Sequence, residues 1–302
     1  MQRRVLGRTG LNVTVLGFGA MEIRGPRIWG GRPVTDEQAE RILHAVLDAG
    51  INFIDTSYDY GRSEEFIGRF ISGRRGEYYL ATKCGCVVTP GAEKDETTHE
   101  WTRERLLHNI ETSLKRMKTD HVDVWQIHNA PVEAVESADL VKVMEDVRKQ
   151  GKTRWIGISS TAPAIQTYIR WGVFDTFQIP YSALERQHEE IISAAAASGA
   201  GIIIRGGVAR GDPQSQGLGR KDRWETWAKA KMDELLAPGE DRTRFLLRYT
   251  ISHPDMDTTI VGTLSPEHLA ANLAAVAAGP LPADVYEEAK RRLTAAGETA
   301  GR

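Results

Sequence analysis

The feature that most constrains this chain is an eightfold alternation. Short runs with β-forming, apolar character recur along it, and each is followed by a stretch with helical periodicity. The runs that read as strands are Val15–Gly19, Asn52–Ile54, Tyr78–Ala81, Val122–Ile127, Arg154–Ile158, Thr176–Ile179, Gly201–Ile204 and Thr258–Val261. The helical segments between and after them are Asp36–Ala49, Glu64–Ile71, Thr102–Met117, Leu140–Gln150, Ala164–Trp171, His188–Ser198, Thr243–Ser252 and Pro266–Ala277. Their ends are punctuated: Thr35 precedes the first, Gly50 and Gly151 follow the first and fourth, and Ser265-Pro266 opens the eighth. Eight strand–helix pairs imply eight parallel strands, and parallel strands must be covered on both faces. A closed α/β (β/α)8 barrel does this, and 302 residues suit one such domain spanning the whole chain, residues 1–302. An open doubly wound sheet is the competing arrangement. It wants a glycine-rich phosphate loop at the first strand–helix turn, and Gly17-Phe18-Gly19 lacks the third glycine.

Two segments fall outside the repeat. Arg3–Leu6 and Asn12–Val15, around the turn Arg8-Thr9-Gly10, read as an N-terminal β-hairpin capping the barrel floor. Ala283–Ala295 reads as an extra C-terminal helix. Two long connections, Cys84–Trp101 and Gly206–Glu240, are expected to be functional, the second with a helix near Trp224–Leu235. A net charge of −2 gives no basic field for nucleic acid. No apolar run reaches the ~18 residues of a membrane span, and the Arg-rich start does not read as a signal peptide. Cys84 and Cys86 are the only cysteines. They are too close together to staple a fold, and a reduced, cytoplasmic setting is expected. Without matching ligands beside them in sequence they do not make a metal site, and none is expected.

In a barrel of this kind chemistry sits at the C-terminal strand ends, and polar residues gather there: Asp55, Lys83, His128, Ser159, Ser160, Gln178, Arg205 and Thr263. Any one of them reads equally well as a helix cap or a surface charge; their convergence on one mouth is the argument. Tyr60 lies in the turn five residues after Asp55. A phenol is a poor acid near neutrality, and a nearby lysine ammonium is expected to lower its pKa. Asp55 would keep that lysine charged, and His128 would hydrogen-bond the same carbonyl oxygen. Nothing in this set carries a hydride, so a redox cofactor is required.

Asp55-Thr-Ser-Tyr-Asp-Tyr60-Gly, Ala-Thr-Lys83 and Gln-Ile-His128 strongly resemble the Asp–Tyr–Lys–His tetrad of the aldo-keto reductase superfamily. The resemblance extends through Leu6-Gly-Arg-Thr-Gly-Leu11, Leu16-Gly-Phe-Gly-Ala20, Gly157-Ile-Ser159, Gln178-Ile-Pro-Tyr181, Ile260-Val-Gly-Thr263, Ser265-Pro266 and Asn272. It implies reduction of an aldehyde or ketone by a nicotinamide cofactor. Tyr60 would be the general acid, Lys83 and Asp55 its tuners, and His128 the group that orients and polarises substrate. Asp55, Ser159, Ser160 and Gln178 would lie at the nicotinamide, bordered by Gly19, Ala20 and Met21. Arg205 with Gly206, Gly207, Val208 and Arg210 would run along the pyrophosphate, and Gly262, Thr263, Ser265, His268 and Asn272 would surround the adenosine. Ser160 stands where many members have Asn, Arg205 where many have a stacking aromatic ring, and Gly262 and His268 where NADP-selective members place Lys and Arg. NADP(H) is the cofactor the resemblance favours, with NAD(H) as the alternative.

Trp125 and Trp155 are expected in the core, and Trp29 and Cys84 at the substrate pocket. Trp224 and Trp227 would either close over the cofactor or pack beneath their loop. Arg24, Arg27 and Arg32 read either as contacts to an anionic substrate or as solvated charge. The small-molecule substrate would be a small or sugar-like carbonyl, and the oligomeric state is left open. A cofactor-binding sensor with weak catalysis is the rival reading on the same barrel. An aldolase-type enzyme using Lys83 as a Schiff base is a second, opposed by the acid beside it.

Overall fold

The structure, a computed structural model, describes residues 1–213 and 219–301; residues 214–218 of the connection after the seventh barrel strand lie outside it. Eight parallel strands close into a barrel in chain order. They are β3 (Leu16–Gly19), β4 (Phe53–Asp55), β5 (Tyr79–Cys84), β8 (Val122–His128), β9 (Thr153–Ser159), β10 (Thr176–Pro180), β11 (Gly201–Arg205) and β12 (Thr258–Val261). The eight expected helices lie between them as α1 (Asp36–Asp48), α2 (Ser63–Phe70), α3 (Arg103–Met117), α5 (Leu140–Lys149), α6 (Ala164–Trp171), α7 (Glu189–Ala197), α9 (Arg242–Ile251) and α10 (Pro266–Ala277). The caps behave as their sequences require. Thr35 and Gln38 form a reciprocal capping box, and Ser265 accepts from the His268 amide with Pro266 in the first turn. Helix α11 (Ala283–Ala295) follows the barrel, and a short α4 (Val132–Ser137) lies in the loop after β8.

The predicted floor cap is present as β1 (Arg3–Val5) paired antiparallel with β2 (Asn12–Thr14). Its Leu6, Leu11 and Val13 are buried in one cluster with Phe53, Ala81, Val124 and Ile203, flanked by Tyr79, Trp155 and Ile260. The hairpin therefore plugs the barrel, and the plug explains where the site lies. Successive strand residues alternate between faces, so inward positions recur every second residue. Climbing two residues from the plug converts Phe53 to Asp55, Ala81 to Lys83, Val124 to Gln126 and then His128, Ile203 to Arg205, and Trp155 to Gly157 and then Ser159. Each inward ladder starts apolar and ends polar.

Two expectations are refined. The connection Cys84–Trp101 is an ordered hairpin, β6 (Cys86–Thr89) against β7 (Glu96–His99), not an open loop. The expected helix near Trp224–Leu235 divides into α8 (Lys221–Lys229) and a 3-10 turn at Met232–Leu235. Trp227 is fully buried and meets Phe245 edge-on at 5.6 Å, with Trp224 against it at 5.5 Å. These indoles pack beneath their loop rather than close over a ligand.

Leu6 is fully buried in the plug while Val5 beside it is exposed. Leu6→Ala is expected to cost about 3 kcal/mol in urea unfolding, through lost burial and a residual cavity, and Val5→Ala about 0.5 kcal/mol or less. Equal effects would remove the hairpin from the core.

Candidate active site

Asp55 ends β4 and Lys83 lies one position before the end of β5. Both side chains are 1% exposed, and Lys83 Nζ donates to Asp55 Oδ2 at 2.6 Å and to the Thr56 carbonyl at 2.8 Å. The other carboxylate oxygen, Oδ1, accepts from Gln178 Nε2 at 2.7 Å and Gln126 Nε2 at 3.1 Å. Gln178 Oε1 in turn accepts from Ser159 Oγ at 3.1 Å. Strands β4, β5, β8, β9 and β10 are thus tied across the barrel by one carboxylate and its partners. Burial alone would push the lysine ammonium down, but the fields of Asp55 and Tyr60 and the Asp55 hydrogen bond outweigh it and hold the pKa above its ordinary value.

Tyr60 rises from the turn after β4. Its amide donates to the Ser57 carbonyl at 3.0 Å, and its own carbonyl accepts from Ser63 N, which opens α2. Gly61 completes the turn at φ +46°, where a Cβ would stand 2.2 Å from the Arg24 carbonyl, so only glycine lets the turn lie against the first loop. Lys83 Nζ lies 4.9 Å from the Tyr60 ring centroid, and Trp29 meets that ring edge-on at 5.9 Å. Burial raises the phenol's pKa; Lys83 and Arg205 oppose this and Asp55 and Asp59 reinforce it. The expectation of a lowered phenol is therefore corrected: the lysine acts in the expected direction, but desolvation is larger. The phenol keeps its proton well past neutrality.

His128 ends β8 with its Nδ1 3.2 Å from Cys86 Sγ and 3.7 Å from Asp59 Oδ2. Trp101 Nε1 fixes the backbone there by donating to the His128 carbonyl at 3.1 Å. Burial pushes the imidazole well below its ordinary value, and the cationic neighbours Lys83 and Arg205 add to it, so the ring is neutral at pH 7. Burial likewise pushes the Cys86 thiol well up. A thiol S–H toward Nδ1 leaves the ring proton on Nε2, the nitrogen away from Cys86. Cys84, expected at the pocket, is corrected: it alternates with Lys83, is fully buried in the hydrophobic core, and its Sγ contacts the Gln126 carbonyl at 3.3 Å.

The other expected residues lie at the strand ends and on the loops and helices that follow them. Gly19 ends β3, and Ala20 and Met21 open a 3-10 turn beside it. Ser160 is buried next to Ser159, with its amide donating to the Gln178 carbonyl at 3.3 Å. Arg205 ends β11 largely enclosed; burial lowers its pKa, opposed by Tyr60, Glu185 and Asp55. From Gly206 to Gly211 the chain makes a tight turn in which Ala209, Arg210 and Gly211 take left-handed φ values of 47°, 64° and 80°, closed by the Ala209 amide donating to the Gly206 carbonyl at 2.8 Å and the Gly211 amide to the Val208 carbonyl at 2.7 Å. Within it Gly207 is held by Thr250 Oγ1 donating to its carbonyl at 2.8 Å, and Val208 is half-buried. Gly262 follows β12, and a Cβ there would stand 2.4 Å from the Gly19 carbonyl. Thr263 Oγ1 receives the Ser265 amide at 3.0 Å, Ser265 caps α10, and His268 and Asn272 lie on that helix.

The mouth is further shaped by Gln126, Asp59 and His99, which the sequence pattern did not single out, and by the first loop. Gln126 shares its inward face with His128, two positions on, so strand alternation carried the signal. Cys86, His99 and Asp59 reach His128 only through the β6–β7 hairpin and the Tyr60 turn. Arg24 donates to the Met21 and Ile28 carbonyls, and Arg27 pairs with Asp95 and the Gly91 carbonyl, so both brace the first loop. Trp29 is half exposed and donates to Thr97 Oγ1 at 2.7 Å, joining that loop to the hairpin above the phenol.

The polar ring, the left-handed turn and a capped helix N-terminus lie at the end of a (β/α)8 barrel where enzymes of this fold carry their chemistry. The chain matches the aldo/keto reductase family model over residues 15–292 and belongs to that family. It is an NAD(P)H-dependent oxidoreductase acting on carbonyl compounds. It is 28% identical to the uncharacterized oxidoreductase YqkF of Bacillus subtilis, covering 91% of each chain. It is 27% identical to the L-galactose dehydrogenase of Arabidopsis thaliana, over 91% of this chain and 88% of that one. The holo form of aldo-keto reductase AKR11C1 from Bacillus halodurans superposes with a TM-score of 0.85 at 29% identity, covering 97% of this chain and 96% of its own.

Lys83→Met would leave Asp55 as an uncompensated buried carboxylate and is expected to cost about 3–5 kcal/mol in urea unfolding. Asp55→Asn/Lys83→Met should recover part of that loss. A single variant within about 1 kcal/mol of wild type would show that the pair is not held as an ion pair.

Proposed function

We propose that the chain reduces a small, polyhydroxylated or otherwise sugar-like aldehyde or ketone to its alcohol, reversibly, with Tyr60 as proton donor. The observation that carries this reading is the buried Lys83–Asp55 pair beneath a protonated phenol, with a neutral imidazole beside it. The nicotinamide cofactor, when bound, supplies or takes up the hydride. The chain's own groups do the rest. The Tyr60 hydroxyl gives its proton to the carbonyl oxygen, and Lys83, with two of its three donors spent on Asp55 and Thr56, stabilises the phenolate left behind. His128 Nε2–H donates to the same oxygen, and the Trp29 indole walls the approach. The sugar-like class draws on the dehydrogenase relative named for L-galactose.

The fit to the cofactor is chemical. Ser159, Ser160 and Gln178 offer amide and hydroxyl partners beside Asp55 for a carboxamide, next to Gly19, Ala20 and Met21. The Gly206–Gly211 turn with Arg205 and Arg210, and the N-terminus of α10, suit a pyrophosphate and an adenosine phosphate. NADP(H) is the cofactor we favour, from the resemblance to the family; helix α1, which carries Arg41, packs against α10, which carries His268. NAD(H) is the second reading, because Gly262 and His268 stand where NADP-selective relatives of the family place Lys and Arg. The reading takes residues 1–302 as one domain acting in the cytoplasm. Among the described residues no helix is long and apolar enough to cross a membrane.

Tyr60→Phe is expected to bind NADPH within about 2-fold of wild type, followed by fluorescence, and to lose about 100-fold or more in turnover on an aldehyde panel. Retained turnover would remove Tyr60 from the mechanism. Tight cofactor binding by wild type without turnover on any carbonyl would favour a sensor. Arg41→Ala should weaken NADPH binding about 2- to 5-fold and leave NADH unchanged; equal effects would detach Arg41 from the 2′-phosphate. With His128 titrating well below 6.5 and Tyr60 above 10, the rate of reduction should show no ionisation between about pH 6.5 and pH 9. An inflection there that disappears in His128→Gln would overturn the assignment of a neutral ring.

A further inference from the structure

Beside His128, on the side turned to the β6–β7 hairpin, four side chains of different chemistry converge. Asp59, Cys86, His99 and His128 each offer one ligand-type atom, and all four atoms lie within 4.8 Å of one another. They come from the Tyr60 turn, both strands of the hairpin and the end of β8; Cys86 and His99 face each other in the hairpin register. Cys86 Sγ and His128 Nδ1 are 3.2 Å apart, and His128 Nδ1 and Asp59 Oδ2 are 3.7 Å apart. Metal bonds of about 2.0–2.3 Å at a tetrahedral angle set ligand atoms roughly 3.3–3.8 Å apart, so these two edges already have nearly the right length.

A second observation points to an occupant. Asp59 is fully buried, yet its Oδ2 has no hydrogen-bond partner among the described residues, and neither does the buried Nε2 of His99. The other Asp59 oxygen is held by Ser57 Oγ at 2.5 Å, and the His99 ring stacks on Trp101 at 5.5 Å and 11°, so neither group is free to swing elsewhere. Buried polar atoms left unsatisfied cost about 1–3 kcal/mol each, and a cation held between these two would satisfy both. One sulfur, two imidazole nitrogens and one carboxylate oxygen match zinc-class ions; calcium and magnesium want oxygen alone.

We propose that Asp59, Cys86, His99 and His128 form a binding site for a divalent transition-metal ion of the zinc class, and that its occupancy slows carbonyl reduction by re-aiming His128. On binding, the Cys86 S–H bond breaks and its proton leaves to solvent, a sulfur–metal bond forms, and His128 Nδ1, His99 Nε2 and Asp59 Oδ2 each donate a lone pair. No electron is transferred. Ligand atoms farther apart than about 3.8 Å, within the 4.8 Å span of the cluster, must close on the ion, and His128, bonded to it through Nδ1, is re-aimed with them. An ångström of such displacement is enough to cost a large factor in rate. The inhibitory half rests on the proposed reductase reading; the binding half does not.

The test uses untagged, metal-stripped protein titrated with Co2+, read by the visible ligand-field bands of tetrahedral cobalt and the near-ultraviolet thiolate charge-transfer band. One Co2+ per chain with both signatures is expected, displaced by Zn2+. The charge-transfer band should vanish in Cys86→Ser, the ligand-field bands should weaken or shift in His99→Gln, and Cys84→Ser should match wild type. Far-ultraviolet circular dichroism establishes that each variant is folded. No thiolate band in wild type, or a band that survives Cys86→Ser, would overturn the site. Zn2+ should lower wild-type turnover about tenfold or more, reversed by chelation, with the ratio of rates with and without Zn2+ returning close to one in His99→Gln. Undiminished inhibition of His99→Gln would overturn the inhibitory mechanism even if cobalt binds. The cobalt spectra remain readable in a protein that reduces nothing, so failure of the reductase reading is distinguishable from failure of the site.

Discussion

Lys83 and Asp55 are withdrawn from water together, and the top of the barrel is organised around keeping them so. A buried carboxylate needs its lone pairs filled, and Asp55 fills them with the Lys83 ammonium and the amides of Gln126 and Gln178. Those donors stand on three different strands, so satisfying one charge fixes the relative height of β4, β5, β8 and β10. Gln178 then orders Ser159 on β9. The polar layer is therefore structural and chemical at once: the same bonds that make the ion pair tolerable hold the groups that face a ligand.

That layer can exist because of what lies two residues below it. Phe53, Ala81, Val124 and Ile203 are closed off by Leu6, Leu11 and Val13 of the N-terminal hairpin. Water therefore has no route to the Lys83–Asp55 pair from the floor, and the pair feels the low dielectric that makes its mutual attraction large. The hairpin lies at the end of the barrel far from the chemistry, yet it sets the electrostatic environment of the chemistry.

Much of this was legible in the sequence because it rests on short periods. Strand alternation and helical periodicity located seven barrel strands within one residue at each end, while the third, read as ending at Ala81, runs on to Cys84 and so contains Lys83; Asp55 and His128 end their strands, and Tyr60 follows in the turn after Asp55. The same alternation placed Gln126 on the face of His128 and excludes Cys84 from the face of Lys83, although adjacency in sequence made Cys84 look like a pocket residue. Gly85, at φ +85°, turns the chain so that Cys86 comes round to His128. The grouping of Asp59, Cys86 and His99 was not legible, since it depends on the pairing of the β6–β7 hairpin and on how that hairpin leans over the mouth. Neither is encoded in a local pattern. The pKa of Tyr60 was misjudged for a related reason: the lysine beside it can be read from a motif, but the extent of its burial depends on Trp29 and the loops that fold over it.

One desolvated pocket acts on three titratable groups, and the differences among them come from which charge each one meets. Burial favours the neutral form of all three. For Tyr60 this raises the pKa and keeps the phenol protonated; for His128 it lowers the pKa and keeps the ring neutral. Lys83 alone stays charged against the same penalty, because Asp55 is within 2.6 Å of it. A protonated phenol, a neutral imidazole and a cation are the combination that the proposed reduction calls for, a proton to give and a charge to stabilise the anion left behind. They do not require three separately tuned environments. They follow from one dry cavity and one carboxylate placed against one amine.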